Sequence, residues 1–543
     1  MQIKIKTELQ IEQPFENVVK REVAQKLDSL AEKYFGIPTS LLMENAGRKI
    51  SDFIKSNFGK NSAVVIVAGT GNNGGDGFCV AKHLYNAGFK VHIAIIQEKG
   101  KIKGDALLNL NIIKNISEKD ERIRVEETRD VERVRLLIKD SDLIIDAIFG
   151  TGLSREIEDN NILSIIDEIN SSENRKNKKV ISIDIPSGLD SDLGIPLPKA
   201  VRADFTITFA PAKAGLFIFP APYYTGNIVI EDIGIPKLLW EDSQIKIVTI
   251  EIARALLRER NRTKKEDAHK GDFGRTFIIA GAVGRAGAAV LSGLGSLKVG
   301  SGLVYILTPK SVYLPVASGA KEYMVHPAED DGQTFSEQAL KTMEKLIDEI
   351  NPTSIVFGPG VYLKDSIKKM LIRILDFSHS KNIPVIIDAD GINALAEIGY
   401  EKIFNGEPKR LILTPHPGEM SRLLKGEKIK DIQKDRINCA KSFSERTGTI
   451  TVLKGARTII SDGKRVFINL SGNQGLASGG TGDVLSGIIG GLVSQGYQLT
   501  EASILGVFLQ SFSADLITNE RGAPYLTAEE VARKIPEALS FII

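Results

Sequence analysis

The chain has 543 residues, 42% hydrophobic and 25% charged, the balance of a soluble globular protein with room for roughly two to four domains. Its net charge of +2 is too small to argue for nucleic-acid or membrane-surface binding, so an anionic ligand has to be held by local features. The two cysteines, Cys79 and Cys439, cannot complete a zinc site by themselves and offer no disulfide framework. The opening stretch MQIKIKTELQIEQPF alternates polar and apolar residues and lacks the apolar centre of a secretion signal. No apolar run approaches the ~20 residues needed to span a bilayer, so a cytoplasmic enzyme is expected.

Taken in chain order, the first half predicts strands at 63–69 (AVVIVAG), 90–96 (KVHIAII), 142–148 (DLIIDAI), 179–185 (KVISIDI), 204–210 (DFTITFA) and 227–233 (NIVIEDI). Amphipathic stretches such as DGFCVAKHLYNAG separate most of them. Continuous apolar strands alternating with helices predict an α/β protein with a parallel sheet covered on both faces. The polar stretch 258–274 reads as a solvated linker or entry loop. The pattern then restarts at 275–281, 302–308, 354–360, 383–390, 410–416 and 449–455. Residues 457–469 read as a hairpin turning at Asp462-Gly463, and a helix over 484–493 closes the second core. The boundary falls near residue 250, giving domains 1–248 and 249–543.

The segment VVIVAGTGNNGGDGFCVAKHL fits G-x-G-x-x-G at Gly69, Gly71 and Gly74 after an apolar run. A strand, a glycine turn and a helix bring backbone N–H groups to a helix N-terminus, which holds phosphate, carboxylate or carbonyl oxygen. Two features count against an ordinary dinucleotide fingerprint. Asp76 falls in the first helical turn, where it repels a pyrophosphate, and the paired Asn72 and Asn73 supply amides such a turn does not need. Glu98 stands where a ribose-binding acid would be, so that test is ambiguous. Asp146 and Asp184 close two strands, at the edge where open α/β sheets place ligands, although either could be a helix cap.

With these stretches in view, GIPTSLLMENAGRKI, GTGNNGGDGF, DAIFGTGLSRE and IDIPSGLDSD resemble the YjeF N-terminal domain, the NAD(P)H-hydrate epimerase, over roughly residues 20–240. The resemblance implies a Rossmann-like three-layer α/β/α domain that binds a nicotinamide nucleotide hydrated on its ring. It implies K⁺ at Asn73, Asp146 and Ser187, whose oxygens suit an alkali cation. It implies substrate contacts from Asn72, Asn73, Gly74, Gly75 and Asp76, from Gly150, Thr151, Gly152, Leu153, Ser154, Arg155 and Glu156, and from Asp184. Asp184 is the best-placed group to move the proton that epimerisation requires.

In the second half, NQGLASGGTGDVLSGIIGGLV places Gly479, Gly480 and Gly482 before a helix, with Asp483 at its entry. Small residues expose amides to a transferring phosphoryl group, the helix N-terminus favours its charge, and Asp483 can take the proton of an attacking hydroxyl. No P-loop motif is present. The segment resembles the ribokinase-like α/β fold. More specifically, HKGDFGRTFIIAG, GRAGAAVLSGLGSLKVGSGLV, VFGPG, IIDADGINAL, LTPHPGEM and LKGARTIISDG resemble the YjeF C-terminal domain, the ADP- or ATP-dependent NAD(P)H-hydrate dehydratase, over about 265–540.

This second resemblance implies adenine-nucleotide contacts from Lys454, Gly455, Ala456, Arg457 and Thr458, and from Asn473, Gln474, Gly475, Leu476, Ala477, Ser478, Gly479, Gly480, Thr481 and Gly482. It implies hydrate contacts from Ala288, Gly360, His416 and Asp483, and Mg²⁺ positioned through water by Glu419. His416 also reads as a turn histidine. Two positions depart from the family pattern: Gly391 stands where Ala is usual, and Gln510 where His is common.

The two resemblances fit one chemistry. Hydroxide leaves the hydrated ring poorly; phosphorylation turns it into phosphate, which the ring nitrogen can expel. A dehydratase pocket accepts one C6 epimer, S, and an epimerase supplies it from R. Three rivals stay open at this point: a true nicotinamide dehydrogenase, a ribokinase-type small-molecule kinase with an N-terminal regulatory nucleotide-binding module, and a first half that serves as a binding or oligomerisation module. ADP against ATP and NADHX against NADPHX also stay open, with a lean to ADP. The family's habits imply a homo-oligomer.

Overall fold

The structure is a computed structural model that describes residues 17–59, 62–96, 102–173, 175–259, 267–319, 321–402 and 410–543. Glu98 and part of the 258–274 linker lie outside the described residues. The chain divides into two compact units, Met1–Ile245 and Lys246–Ile543.

In the first unit the strands are β1 (Asn17–Val19), β2 (Ala63–Ala68), β3 (Lys90–Ile95), β4 (Ile123–Glu127), β5 (Leu143–Ala147), β6 (Lys179–Ile183), β7 (Phe205–Phe209), β8 (Ala212–Lys213) and β9 (Asn227–Glu231). Its main sheet has the order β4-β3-β2-β5-β6-β7-β9, with all its ladders parallel. Strand β2 shows why apolar runs were needed. Val64, Ile66 and Ala68 join one buried cluster with Leu42, Ala46 and Phe78, while Val65 and Val67 join another with Ile162, Ile165 and Ile166. Successive side chains point to opposite faces, so both faces must be covered by helices. The three-layer α/β/α expectation therefore holds.

All six strands expected in the first half form, each trimmed by one or two residues at its ends. Strand β4 went unread because its sequence, IRVEE, is an edge strand buried chiefly at Ile123. The chain runs β2, β3, β4 in one direction across the sheet and β5, β6, β7 in the other. The reversal puts a crevice at the carboxyl ends of β2 and β5, where such sheets bind ligands.

The second unit contains β10 (Ile245–Val248), β11 (Arg275–Ile279), β12 (Leu303–Pro309), β13 (Met324–Ala328), β14 (Ser354–Phe357), β15 (Val385–Ile387), β16 (Leu411–Leu413), β17 (Ile450–Leu453), β18 (Ile459–Ser461) and β19 (Val466–Asn469). Their order is β13-β12-β11-β14-β15-β16-β17-β18-β19-β10. The ladders are parallel from β13 to β17, and β17-β18-β19 is an antiparallel meander. The expected hairpin is β18–β19. Asp462 accepts hydrogen bonds from the amides of Lys464 (3.0 Å) and Arg465 (2.6 Å), and Gly463 takes φ +87°. A second reversal lies between β11 and β14.

The helix expected over 484–493 runs Thr481–Ser494, so Asp483 lies inside its first turn. It is buried on nearly every side and needs its glycines. A Cβ on Gly487 would collide with the backbone carbonyl of Ser292, in helix Ala286–Lys298, and one on Gly490 would strike Val356 of β14. This close approach fixes the height of the helix N-terminus over the sheet edge. We expect Gly487→Ala to destabilise the second unit by about 1–3 kcal/mol through overpacking, read by chemical denaturation; an unchanged midpoint would contradict this packing.

Candidate active sites

The first site lies at the reversal between β2 and β5. The turn after β2 approaches β5 so closely that a Cβ on Gly69 would overlap the Ile148 carbonyl oxygen, and one on Gly74 would overlap the Gly69 carbonyl oxygen. Helix Asn72–Asn86 starts there, and its first intrahelical bond runs from the Gly75 amide to the Gly71 oxygen (3.1 Å). The amides of Asn72, Asn73 and Gly74 precede that bond and face the crevice end of the helix.

A cavity of about 1150 Å³ opens here, lined among others by Asn72, Asn73, Asp76, Gly150, Thr151, Gly152, Leu153, Arg155, Glu156 and Asp184. Three expected contacts do not line it. Gly74 and Gly75 serve close packing, the latter against Met43 and Ala106, and Ser154 is exposed beside the loop.

Asp146 and Ser187 bond to one another, and Ser187 holds the loop that carries Gly150 against Asn73. Asp146 is fully buried and accepts from Ser182 Oγ (2.8 Å), Ser187 N (2.8 Å), Ser187 Oγ (2.5 Å) and Ile148 N (3.3 Å). Burial pushes its carboxyl up, against the pull of the Ser187 and Ser182 hydrogen bonds. Ser187 Oγ also accepts from Phe149 N (2.8 Å), which delivers Gly150 against Asn73. A Cβ on Gly150 would lie 3.2 Å from Asn73 Oδ1. Among the described residues the buried Asn73 carboxamide finds no hydrogen-bond partner for its nitrogen or its oxygen. Such a group ordinarily finds a partner, so this one points to a ligand that supplies it.

Asp184 stands at φ +64° beyond β6, strain of the kind functional positions hold. Its Oδ1 accepts from Lys213 Nζ (2.5 Å) and Thr208 Oγ1 (3.3 Å), its Oδ2 from Thr151 Oγ1 (2.6 Å) and Thr151 N (3.3 Å). Burial would raise its carboxyl, but Lys213 and Thr151 outweigh that and hold it below the ordinary carboxylate range. Asp76 has the opposite fate. Burial, then Asp184 and Asp28, push it well above that range, which weakens the expected repulsion of a pyrophosphate. Lys213 and Asp28, both on the cavity wall, were missed by sequence reasoning. A lysine beside the strand end in APAKAG, two residues after β7's apolar run ends at Ala210-Pro211, was the available signal for Lys213.

The second site is built the same way, on the carboxyl ends of β15, β16 and β17. Asp388 is 1% exposed; its Oδ1 accepts from Lys454 Nζ (2.7 Å) and Thr414 Oγ1 (2.7 Å), and its buried Oδ2 has no partner. Lys454 Nζ also lies 3.8 Å from Glu419 Oε2. A Cβ on Gly482 would sit 3.3 Å from that ammonium and 3.8 Å from Asp388 Oδ2, so the cluster touches the N-terminus of helix Thr481–Ser494. Burial, then Asp388, push Asp483 up to about 7, and burial pushes Glu419 to about 7 as well. Burial works against the Lys454 ammonium, yet Asp388 and Glu419 hold its pKa above the ordinary value.

His416 caps helix Pro417–Leu423: its Nδ1 accepts from Gly418 N (2.9 Å) and Glu419 N (3.3 Å), and Glu419 Oε2 answers by accepting from His416 N (2.8 Å). The turn-histidine reading thus describes Nδ1, and Nε2 lies 3.4 Å from Glu419 Oε1. Burial, then Lys454, lower its pKa, so the ring is neutral near pH 7. Ala288 and Gly360 meet one another: a Cβ on Gly360, at φ +65°, would lie 2.9 Å from Ala288 Cβ.

The loop Lys454–Thr458 is held from below by Arg436, whose guanidinium donates to the oxygens of Leu453 (2.9 Å), Ala456 (2.5 Å) and Arg457 (3.2 Å), and Thr458 Oγ1 donates to Gly455 O (3.0 Å). In the other loop, Asn473 caps its own turn, accepting from Gly475 N (3.0 Å) and donating to Asp515 (2.9 Å). Gly475 packs against Pro524 and Leu526, and Leu476 against a small apolar cluster, so Gly475 and Leu476 shape the loop through packing. Thr481 Oγ1 donates to Leu476 O (3.0 Å) and Ser478 O (3.0 Å), and Gln474, Ala477 and Gly479 are exposed. Gly480 takes φ +89° as the N-cap.

Both departures from the family pattern have a structural role. Gln510 donates to Thr481 O (2.5 Å) and so ties down the loop, and Gly391 leaves room for the Phe357 carbonyl oxygen, 2.9 Å from where a Cβ would stand. Asp388 and Arg436 were missed. Asp388 closes VIID as Asp146 closes LIID, so the strand-end rule that found one was sufficient to find the other.

Comparison with known proteins agrees with the two-unit construction. A family model described as YjeF-related protein N-terminus matches residues 39–215, and one described as NAD(P)H-hydrate dehydratase matches residues 276–537. The chain is 33% identical over 533 residues to the bifunctional NAD(P)H-hydrate repair enzyme Nnr of Dictyoglomus turgidum, covering 97% of this chain and 99% of the relative. It is 34% identical to the Nnr of Moorella thermoacetica, covering 95% of each. The ADP/ATP-dependent NAD(P)H-hydrate dehydratase of Bacillus subtilis, crystallised with ATP and Mg²⁺, is 30% identical over 55% of this chain and 98% of its own, with a TM-score of 0.46. The chain belongs to the bifunctional NAD(P)H-hydrate repair enzyme family.

The buried cluster in the second unit makes a prediction independent of the reaction. Lys454→Met leaves Asp388, Glu419 and Asp483 without their cation. We expect a loss of about 3–5 kcal/mol at pH 8 and less at pH 6, since protonation relieves the carboxyls. In the wild type, Glu419 and Asp483 keep protons up to about pH 7 that the unfolded chain releases near pH 4, so stability from these two groups falls as pH rises between those values. Equal losses at the two pH values, by denaturant melts, would contradict the coupling.

Proposed function

We propose that the chain repairs hydrated nicotinamide cofactors, with epimerisation of R- and S-NAD(P)HX in the first unit and ADP- or ATP-dependent dehydration of the S epimer to NAD(P)H in the second. The domain limits 1–248 and 249–543 express that division. The observation that carries the reading is the position of Asp483, in the first turn of a helix behind a Gly479–Gly482 loop and beside the Asp388–Lys454 pair. Asp483, when ionised, takes the proton of the ring hydroxyl as that oxygen attacks the terminal phosphoryl group. The loop amides and the Lys454 ammonium meet the charge that develops on phosphorus. The ring nitrogen then expels phosphate. Lys454–Thr458 and Asn473–Gly482 hold the nucleotide, and Ala288, Gly360 and His416 the hydrate. Glu419 is the residue that would hold Mg²⁺ through water, and the ion supplies charge neutralisation on the phosphates.

In the first unit, Asn72, Asp76 and Gly150–Glu156 hold the hydrated nucleotide and Asp184 moves the proton. Asn73, Asp146 and Ser187 would hold K⁺, a reading supported by the unpartnered Asn73 carboxamide against the Gly150 loop. The partners are NADHX, NADPHX and ADP or ATP, ADP being favoured, in a cytoplasmic homo-oligomer. No described helix is long and apolar enough to cross a membrane. The rival reading, a small-molecule kinase, leaves a phosphorylated product where the repair enzyme releases phosphate.

Asp483→Asn should lower dehydration by about 10²–10⁴-fold and leave epimerisation intact; dehydration close to wild type would remove Asp483 from this role. In the wild type, kcat/KM for dehydration should rise with pH up to an apparent pKa near 7 and level off, as ionised Asp483 accumulates. Asp146→Ala should weaken substrate binding and abolish any K⁺ dependence of epimerisation. If Asp146 is a structural cap, the variant melts about 0.5–2 kcal/mol less stable and its ion dependence is unchanged, an outcome that would sink the K⁺ assignment.

A further inference from the structure

The cavity of the first unit contains more titratable groups than a single proton carrier needs. Asp76 comes from the helix after β2, Asp184 from the end of β6, Lys213 from β8 and Asp28 from helix Arg21–Phe35, and all four line the same cavity. Lys213 is 6% exposed and lies against Asp184 at 2.5 Å, with its ammonium over the Phe209 ring at 5.9 Å. Three carboxyls thus share one ammonium, and that ammonium is committed to Asp184. Like charges withdrawn from water cannot all ionise, so the set divides into a charged and a neutral carboxyl.

Resting on the epimerase reading above, we propose that Asp76 is a second catalytic residue of the epimerisation, the acid that works opposite the base Asp184 across this cavity, with Lys213 deciding which of the two is charged. Chemistry at the hydrated carbon requires such a pair. The hydrated C6 carries a hydroxyl and the ring nitrogen, so it opens as a hemiaminal. Asp184 takes the hydroxyl proton, the C6–O bond becomes a carbonyl, the C6–N1 bond breaks with its electrons going to N1, and Asp76 gives N1 a proton. The open chain is an aldehyde with an N–H enamine. Rotation presents the other carbonyl face, N1 attacks it, its proton returns to Asp76, and the proton on Asp184 returns to the oxygen. No atom or electron is gained or lost.

The environments match these roles. Burial, then Asp184 and Asp28, raise Asp76 well above the usual carboxylate range, while Lys213 and Thr151 outweigh burial at Asp184. Asp28 is also raised by burial, with Lys213 opposing, so it is the alternative acid that the test must separate. Cys79, one turn further along the same helix, is pushed up by burial and stays a neutral thiol.

The test uses the purified full chain with one pure epimer of hydrated NADH and no ADP, following the other epimer by chromatography above the spontaneous rate. Wild type should show a rate that falls at low pH as Asp184 protonates and at high pH as Asp76 ionises. Asp76→Asn keeps the shape but cannot donate a proton. It should lose about 10²–10⁴-fold in kcat with KM within about threefold, and the high-pH limb should vanish. Asp76→Glu should return part of the rate together with that limb, which separates lost chemistry from lost folding. Dehydration of the S epimer with ADP, in the same preparations, should be unchanged. A loss confined to KM, a persistent high-pH limb in Asp76→Asn, or a collapse in Asp28→Asn with Asp76→Asn active overturns the proposal. A wild-type chain that never exceeds the spontaneous rate overturns the epimerase reading itself.

Discussion

In each unit one lysine, buried in the first and half-buried in the second, answers for several carboxylates at the carboxyl edge of a parallel sheet. Lys213 is bound to Asp184 in the first, Lys454 to Asp388 in the second. The arrangement is costly, because charges taken out of water are compensated only by close partners. Its consequence is chemical. One ammonium does not serve every neighbouring carboxyl equally, so carboxyls around it are pushed above their ordinary range. Asp184 is held below the ordinary range while Asp76 is forced above it, and Asp483 and Glu419 rise to about 7 around the Lys454 ion pair.

The scaffold serves this charge arrangement. The sheets reverse between β2 and β5 and between β11 and β14, and each site stands at carboxyl ends of strands beside a helix N-terminus. Glycines let the backbones approach: Gly69 and Gly74 at the first crevice, Gly487 and Gly490 in the helix behind the second. Loops are then pinned from outside the sites. Arg436 holds the Lys454–Thr458 segment by three carbonyl oxygens, and Gln510 holds Thr481. These residues touch no reacting group in the proposed chemistry, yet the loop amides depend on them for direction.

The layered α/β architecture was legible because apolar runs of strand length have one stable solution when both faces are buried, as β2 shows. Edge strands were not legible: IRVEE and MVHPA are short and half exposed, and one contains a proline. Of the sites, the carboxylates at strand ends were readable from Asp146 and Asp184, and the same rule applied at VIID reaches Asp388. Asp28 and Arg436 were not readable from pattern, and Lys213 only from its place beside the strand end in APAKAG. Each is a charged residue that burial makes important, and burial arises from segments far apart in sequence. The upward push on the Asp76 carboxyl was hidden for the same reason. The sequence showed an acid where a phosphate was expected, and burial with the proximity of Asp184 and Asp28 raises its pKa.

On the proposed function, one chain carries two successive active sites, the first feeding the second. The most direct measurement starts from the pure R epimer of hydrated NADH with ADP and Mg²⁺, and follows reduced-cofactor absorbance and inorganic phosphate together. Complete conversion, with phosphate and reduced cofactor appearing in equal amounts, is the predicted result. Persistence of the R epimer, or a stable phosphorylated product without recovery of reduced cofactor, would contradict it.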